Sequence, residues 1–129
     1  MGSMTKVSLV MPMWNERGRI PRMVAGIEQL RACLDSELEV LLVDDGSTDG
    51  SADVAEASNL RVLRRPHFGK GAAVRSGMLM ARGRYRIQAD VDWSIPPEQC
   101  IRLLRALEQG ADVAVASREH PDSSRHGEP

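Results

Sequence analysis

Apolar runs of strand length alternate with helix-periodic stretches along this chain, and that alternation admits little besides a parallel α/β sheet. Residues 7–11 form the first run, closed by Pro12. Ile20, Met23, Val24, Ile27, Leu30 and Leu34 then recur at three- and four-residue spacing, as one face of an amphipathic helix does. After Glu39, residues 40–43 are continuously apolar, the pattern of a strand covered on both faces. A turn at 44–50 leads to a helix over 51–58, and residues 60–63 read as a short third strand. Gly69-Lys70-Gly71 opens a helix that runs to Ala81, with Gly83 as its closing glycine. Residues 85–89 are a fourth strand. Pro96 and Pro97 begin a helix carrying Cys100, Ile101, Leu104 and Leu107, and residues 112–116 are a fifth strand. Right-handed crossovers order these strands 3-2-1-4-5 in an open parallel sheet with helices on both faces.

The chain has 129 residues, enough for one domain, and no internal repeat. Its formal net charge of −1 gives no case for bulk electrostatic attraction to nucleic acid or to a membrane. Trp14, Phe68, Tyr85 and Trp93 are its whole aromatic set, too few for a single-strand stacking platform. No apolar run approaches the roughly 18 residues that would span a bilayer, and the first residues lack the pattern of a signal peptide. The expected location is therefore cytoplasmic, with any membrane contact peripheral. Cys33 and Cys100 lack metal-ligand spacing and read as reduced, buried thiols. Residues 1–3 read as a cloning remnant before a natural start at Met4, and residues 119–129 as a polar, loose tail.

Ligands of open parallel sheets lie outside the carboxyl ends of the strands. The turns after strands one, two and four meet there, and they carry Asn15-Glu16, Asp44-Asp45 and Asp90–Ser94. Asp90 and Asp92, one residue apart in a loop, can both reach a hard cation; Mg²⁺ or Mn²⁺ would bridge them to a diphosphate. A solvated acidic turn is the plainer alternative. Asp44 and Asp45 read as exposed carboxylates able to accept hydrogen bonds from a base or ribose, although turn chemistry alone also explains Asp, Gly and Ser there. Asp45, Ser47, Asp49, Gly50, Asp53 and Glu56 also fall at positions 1, 3, 5, 6, 9 and 12 of an EF-hand calcium loop. An apolar strand where a helix should enter, and the lack of a second loop, argue against calcium.

Gly69 to Arg75 places small residues and two cations, Lys70 and Arg75, at a helix N-terminus, which favours anions. Close helix–sheet packing is the other reading of its glycines. No Walker A loop is present, and the lack of a G-x-G-x-x-G after the first strand argues against a nicotinamide cofactor. His67, His120 and His126 share no ligand spacing and read as surface or loop residues.

Taken together these segments resemble a known family. Val7 through Glu16 is similar to the opening strand and P-x-x-N-E turn of family-2 glycosyltransferases. Val43-Asp44-Asp45-Gly46-Ser47-Thr48-Asp49-Gly50 resembles their V-D-D-G-S-x-D-G turn, and Gly69-Lys70-Gly71 through Gly77 their G-K-G-x-A-V-R-x-G helix start. Asp90-Val91-Asp92-Trp93-Ser94-Ile95-Pro96 resembles their D-A-D-x-S-x-P loop, and Ser117-Arg118 the S-R after the next strand. The branch of polyprenyl (dolichyl) phosphate glucosyl- and mannosyltransferases is the most similar.

The resemblance implies a GT-A fold and metal-dependent transfer of a sugar from a UDP- or GDP-linked donor to a polyprenyl phosphate or carbohydrate. It puts Pro12, Asn15 and Glu16 in the nucleoside site, Asp44 and Asp45 on base and ribose, and Lys70 and Arg75 near the phosphates. It gives the metal to Asp90 and Asp92 with Ser94 as an extra oxygen, and makes Asp92 and Arg118 the catalytic residues. Val91 and Trp93 depart from the family's smaller residues, which implies a reshaped sugar pocket. Family enzymes run on well past the length of this chain, so residues 4–118 correspond to a donor half, completed by a homo-oligomer or a companion chain. A module that only binds nucleotide sugar is the alternative to an enzyme. An alcohol acceptor would need a general base from beyond residue 129, whereas a phosphate acceptor is already ionised.

Overall fold

The computed structural model describes residues 7–34 and 37–110. Strand β1 is Val7–Met13, followed by a 3-10 turn at Arg17–Arg19 and helix α1, Ile20–Cys33. Then come β2 (Leu38–Asp45), α2 (Ser51–Ala57), β3 (Arg61–Arg65), α3 (Lys70–Met80), β4 (Tyr85–Gln88) and α4 (Pro97–Glu108). All pairings are parallel, in the order β3-β2-β1-β4. That is the expected order as far as β4. The expected fifth strand at 112–116, Arg118, residues 1–3 and the tail at 119–129 lie outside the described residues.

The sheet is covered on both faces, which is why β1 is buried at every position. On one face Leu9, Met11 and Met13 of β1 and Leu42 of β2 meet Met23, Ile27 and Leu30 of α1 and Leu104 of α4. On the other, Val10, Leu41 and Val43 meet Ala73 of α3. Alternation along the pleat sends successive residues to opposite layers, so an unbroken apolar strand is what two covered faces require. Helix α3 lies unusually close to the sheet. A Cβ on Gly77 would come 2.4 Å from Val10 Cγ1, so close packing is the reason for that glycine.

Three expectations need correction. Strand β3 begins at Arg61 and pairs Arg61–Arg65 with Leu41–Asp45; as an edge strand it needs no apolar run. Gly83 does not close α3, which ends at Met80 with Ala81 extended. It is glycine because a Cβ would sit 2.7 Å from the Ser8 amide nitrogen. Cys33 is exposed on the outer face of α1, whereas Cys100 is buried. Burial first, and then the charge of Glu98, pushes the Cys100 thiol up to about 11, which leaves it protonated and inert.

Glu39 ties the amino edge of the sheet together. Its Oε1 accepts from Ser8 Oγ at 2.6 Å and from the Arg82 amide at 2.8 Å, while Ser8 Oγ in turn accepts from the Gly83 amide at 2.8 Å. Burial would raise the pKa of this carboxyl, but the Arg82 and Ser8 hydrogen bonds and the charges of Arg61 and Arg82 outweigh it and hold the group below its ordinary value. A lowered native pKa contributes stability that is complete above the unfolded value, about 4.3, and is lost as pH falls through the native one. Glu39→Gln should therefore lower stability by about 1–2 kcal/mol at neutral pH and flatten the acid limb of a urea-midpoint profile. An unchanged profile would remove the edge-tying role.

Candidate functional site

The carboxyl ends of β1, β2 and β4 and the lead into α3 enclose a cleft of about 330 Å³. Pro12 near the end of β1, with Trp14 and Glu16 just after it, forms one wall, and Asp45 ends β2. His67, Gly69 and Lys70 come from the lead and first turn of α3; Asp90, Val91 and Asp92 follow β4. Parallel strands make this convergence unavoidable, since every strand end on this edge has the same polarity.

Asp45 is 4% exposed and organises the cleft from below. Its Oδ1 accepts from the Phe68 amide at 2.8 Å and its Oδ2 from the Gly69 amide at 3.0 Å. His67 Nδ1 lies 2.9 Å from the Asp45 carbonyl oxygen and 3.0 Å from Oδ2. Both partners are acceptors, so Nδ1 carries the hydrogen. The imidazole stacks on Trp14 with ring centroids 4.8 Å apart. One buried carboxylate thus positions the whole segment that leads into α3.

Across the cleft, Lys70 Nζ lies 2.7 Å from Asp90 Oδ1, which also accepts from Gln88 Nε2 at 3.0 Å. Asp92 Oδ1 accepts from the Ser94 amide at 3.0 Å, and Ser94 Oγ is 3.5 Å from Asp90 Oδ2. The lining holds four carboxylates (Glu16, Asp45, Asp90 and Asp92) against the single fixed cation of Lys70. A diphosphate meets repulsion there unless a further cation comes with it. Among the described residues no three His, Cys, Asp or Glu side chains cluster as a self-sufficient metal cage. Two carboxylates and a hydroxyl, all oxygen, are the donor set that Mg²⁺ or Mn²⁺ takes when substrate phosphates fill the rest of its shell.

The profile of Glycosyl transferase family 2 matches residues 8–128. The chain belongs to this family. It is 34% identical to the undecaprenyl-phosphate 4-deoxy-4-formamido-L-arabinose transferase of Pseudomonas syringae pv. syringae, over 92% of this chain and 37% of that protein. To the protein of the same name from Aeromonas hydrophila it is 35% identical, over 92% of this chain and 38% of the other. Among solved structures it superposes on glucosyl-3-phosphoglycerate synthase of Mycobacterium tuberculosis, in complex with Mn²⁺, UDP and glucosyl-3-phosphoglycerate. The TM-score is 0.63 and the identity 26%, over 80% of this chain and 39% of that one. The fold is that of the GT-A glycosyltransferases. The chain spans well under half the length of these relatives.

Within this family-2 domain the expected site residues divide into two groups. Pro12, Glu16, Asp45, Lys70, Asp90 and Asp92 line the one cleft, with Ser94 beside the acidic pair. Asn15 instead joins two turns: its amide donates to Ser47 Oγ and its Oδ1 accepts from the Thr48 amide, both at 2.8 Å. Asp44 and Asp45 are not exposed as expected; each is 4% accessible. Asp44 Oδ2 accepts from the Ser47 amide at 3.1 Å, and Asp44 is absent from the cleft lining. Arg75 lies in a separate groove with Arg65. Arg118 is outside the described residues.

Trp93 is not among the described residues that line the cleft. With φ at 51° it turns back onto α1, and its Nε1 donates to the Met23 carbonyl at 3.1 Å. A Cβ on Gly26 would stand 2.0 Å from that nitrogen, so Gly26 makes room for the indole that pins the Asp90–Ser94 loop to α1. Val91 does line the cleft, at 2% exposure. His67, read as an ordinary loop residue, is part of the wall; its place two residues before Gly69-Lys70, on the ligand edge, was the available signal. The calcium pattern is spent elsewhere. Asp49 Oδ1 accepts from the Ser51 amide at the start of α2, and Asp53 and Glu56 both pair with Arg64.

Proposed function

We propose that this chain is the donor-binding part of a metal-dependent glycosyltransferase that passes a sugar from a UDP- or GDP-linked donor to a polyprenyl phosphate. The reading rests above all on one observation: an acidic pair, Asp90 and Asp92, facing Lys70 across a cleft at the carboxyl edge of a parallel sheet. The relatives named for undecaprenyl phosphate and the structural relative with Mn²⁺ and UDP point the same way. The cell location that follows is the inner face of the membrane.

In this reading Trp14 and Asp45 take the nucleoside, with Pro12 and Glu16 closing its wall. Asp90 and Asp92, with Ser94, would hold Mg²⁺ or Mn²⁺, which would supply positive charge against the charge that builds on a leaving diphosphate. Lys70 releases Asp90 and turns to the phosphates, adding a second positive charge at the leaving group. Asp92 completes the catalytic charge arrangement, and the family resemblance gives Arg118, outside the described residues, a share in it. A phosphate acceptor is ionised at neutral pH, so positioning and charge stabilisation suffice and no proton need be removed. The segment of the relatives beyond this chain, or a companion chain, supplies the acceptor wall and excludes water.

Calorimetric titration of the chain with UDP- and GDP-sugars tests the reading. One nucleotide class should bind in the presence of Mn²⁺ and lose at least tenfold in affinity with chelator. No binding of either class with Mn²⁺ present would overturn it.

A further inference from the structure

The charge of this chain is balanced overall, 17 basic against 18 acidic residues, but it is not evenly spread. Residues 61–89 carry seven arginines and one lysine and not a single Asp or Glu. Several of those cations are engaged: Arg61 with Glu39, Arg64 with Asp53 and Glu56, and Lys70 with Asp90. Arg65 and Arg75 form no ion pair among the described residues, and they flank a groove along α3 that also holds Ala72, Ser76 and Leu79.

The same helix carries the chain's misplaced apolar surface. Among the described residues four large hydrophobic side chains stand exposed, and three belong to α3 or its lead: Phe68 at 69%, Leu79 at 73% and Met80 at 46%. Leu79 and Met80 are the last residues but one and last of α3, whereas Phe68 precedes its first. Exposed apolar side chains therefore mark both ends of the helix, roughly 16 Å apart. Arg75 and Leu79, four residues apart, share the outer face of α3, with Arg65 of β3 beside them and Phe68 and Met80 at the two ends, and a guanidinium pair bordered by exposed apolar side chains suits a membrane interface. Phe68 stands between His67 and Gly69, both in the cleft wall, so one end of this face is the rim of the cleft.

We infer that the outer face of α3, from Phe68 to Met80, docks on an anionic lipid surface and brings the mouth of the cleft against it. Charge complementarity selects the occupant: unpaired guanidinium groups seek phosphate headgroups, while Leu79, Met80 and Phe68 enter the acyl boundary. Its purpose rests on the lipid-linked acceptor proposed above, because an acceptor whose phosphate sits at the headgroup level has to meet a cleft held at that level. The binding itself needs neither donor nor acceptor. Among the described residues no helix is long and apolar enough to cross a membrane.

The test is co-sedimentation of the full chain with vesicles of phosphatidylcholine alone or mixed with phosphatidylglycerol, without nucleotide, at about 0.1 M salt. The chain should partition onto the anionic vesicles only. Arg65→Glu with Arg75→Glu should cut that partition at least tenfold, and Leu79→Asp should lower it independently. Arg102→Glu with Arg105→Glu, on α4 across the sheet, should leave it unchanged. Circular dichroism of each variant checks that its helices persist. Absence of wild-type binding to the mixed vesicles would overturn the inference, as would equal loss in the α4 variant. So would a Leu79-dependent dimer on size exclusion that leaves vesicle binding unaltered in Leu79→Asp. None of these outcomes touches the Mn²⁺-dependent nucleotide titration, so the two readings fail separately.

Discussion

Asp92→Asn is expected to lower the affinity for UDP or GDP with Mn²⁺ by about 10- to 100-fold and to leave stability within about 1 kcal/mol of the parent. The two halves of this expectation have separate physical causes. A hard cation shared between protein and diphosphate draws on few protein oxygens here, so losing one carboxylate removes a large share of the charge that holds it. Asp92 meanwhile makes only a short local hydrogen bond, to the Ser94 amide, and supports nothing in the core. Calorimetry with and without chelator, beside urea unfolding, measures both. Equal nucleotide affinity in the two proteins, insensitive to chelator, would remove Asp92 from any metal role.

Asp45→Ala should behave differently, losing stability and nucleotide binding together. The carboxylate accepts from two backbone amides and faces His67, and it is almost fully buried. Removing it leaves those amides without their charged acceptor, a loss of about 2–4 kcal/mol. The segment from His67 to Gly69 should then loosen, releasing the Trp14–His67 stack and moving Lys70. The measurement is a urea midpoint that falls with unchanged slope, alongside a failed nucleotide titration. A midpoint equal to the parent's would mean that the segment holds itself and that Asp45 serves the ligand alone.

The fold was legible because its signal is long-range and redundant. Residues 40–43 could be apolar without a break only in a doubly covered strand, and the i, i+3, i+4 spacing from Ile20 to Leu30 could be met only by a helix. The site was legible as far as topology reaches, since strand polarity alone gathers Pro12, Asp45 and Asp90 on one edge. What could not be read was side-chain direction. Asp44 and Asp45 are neighbours of the same type, yet the pleat sends one into a turn and the other into the cleft wall. Trp93 looked like a pocket residue because it sits inside the acidic motif; its positive φ, invisible in sequence, turns it onto Gly26. Gly83 has the place of a helix-ending glycine, and only the approach of Ser8 shows its different reason. Arg75 shares the helix start with Lys70 in sequence, yet it faces a separate groove with Arg65.

The Asn15 bridge carries a consequence for energetics of recognition. Its amide and side chain tie the turn after β1 to Ser47 and Thr48 of the turn after β2, while the Glu16 amide donates to Ser51 Oγ at 2.9 Å. The wall of the cleft formed by Trp14 and Glu16 is therefore preorganised: the conformational entropy of those turns is surrendered when the chain folds and not when a ligand arrives. If that wall takes the nucleoside as proposed, discrimination between one base and another falls to contact quality against a stiff surface, with little induced adjustment to blur it.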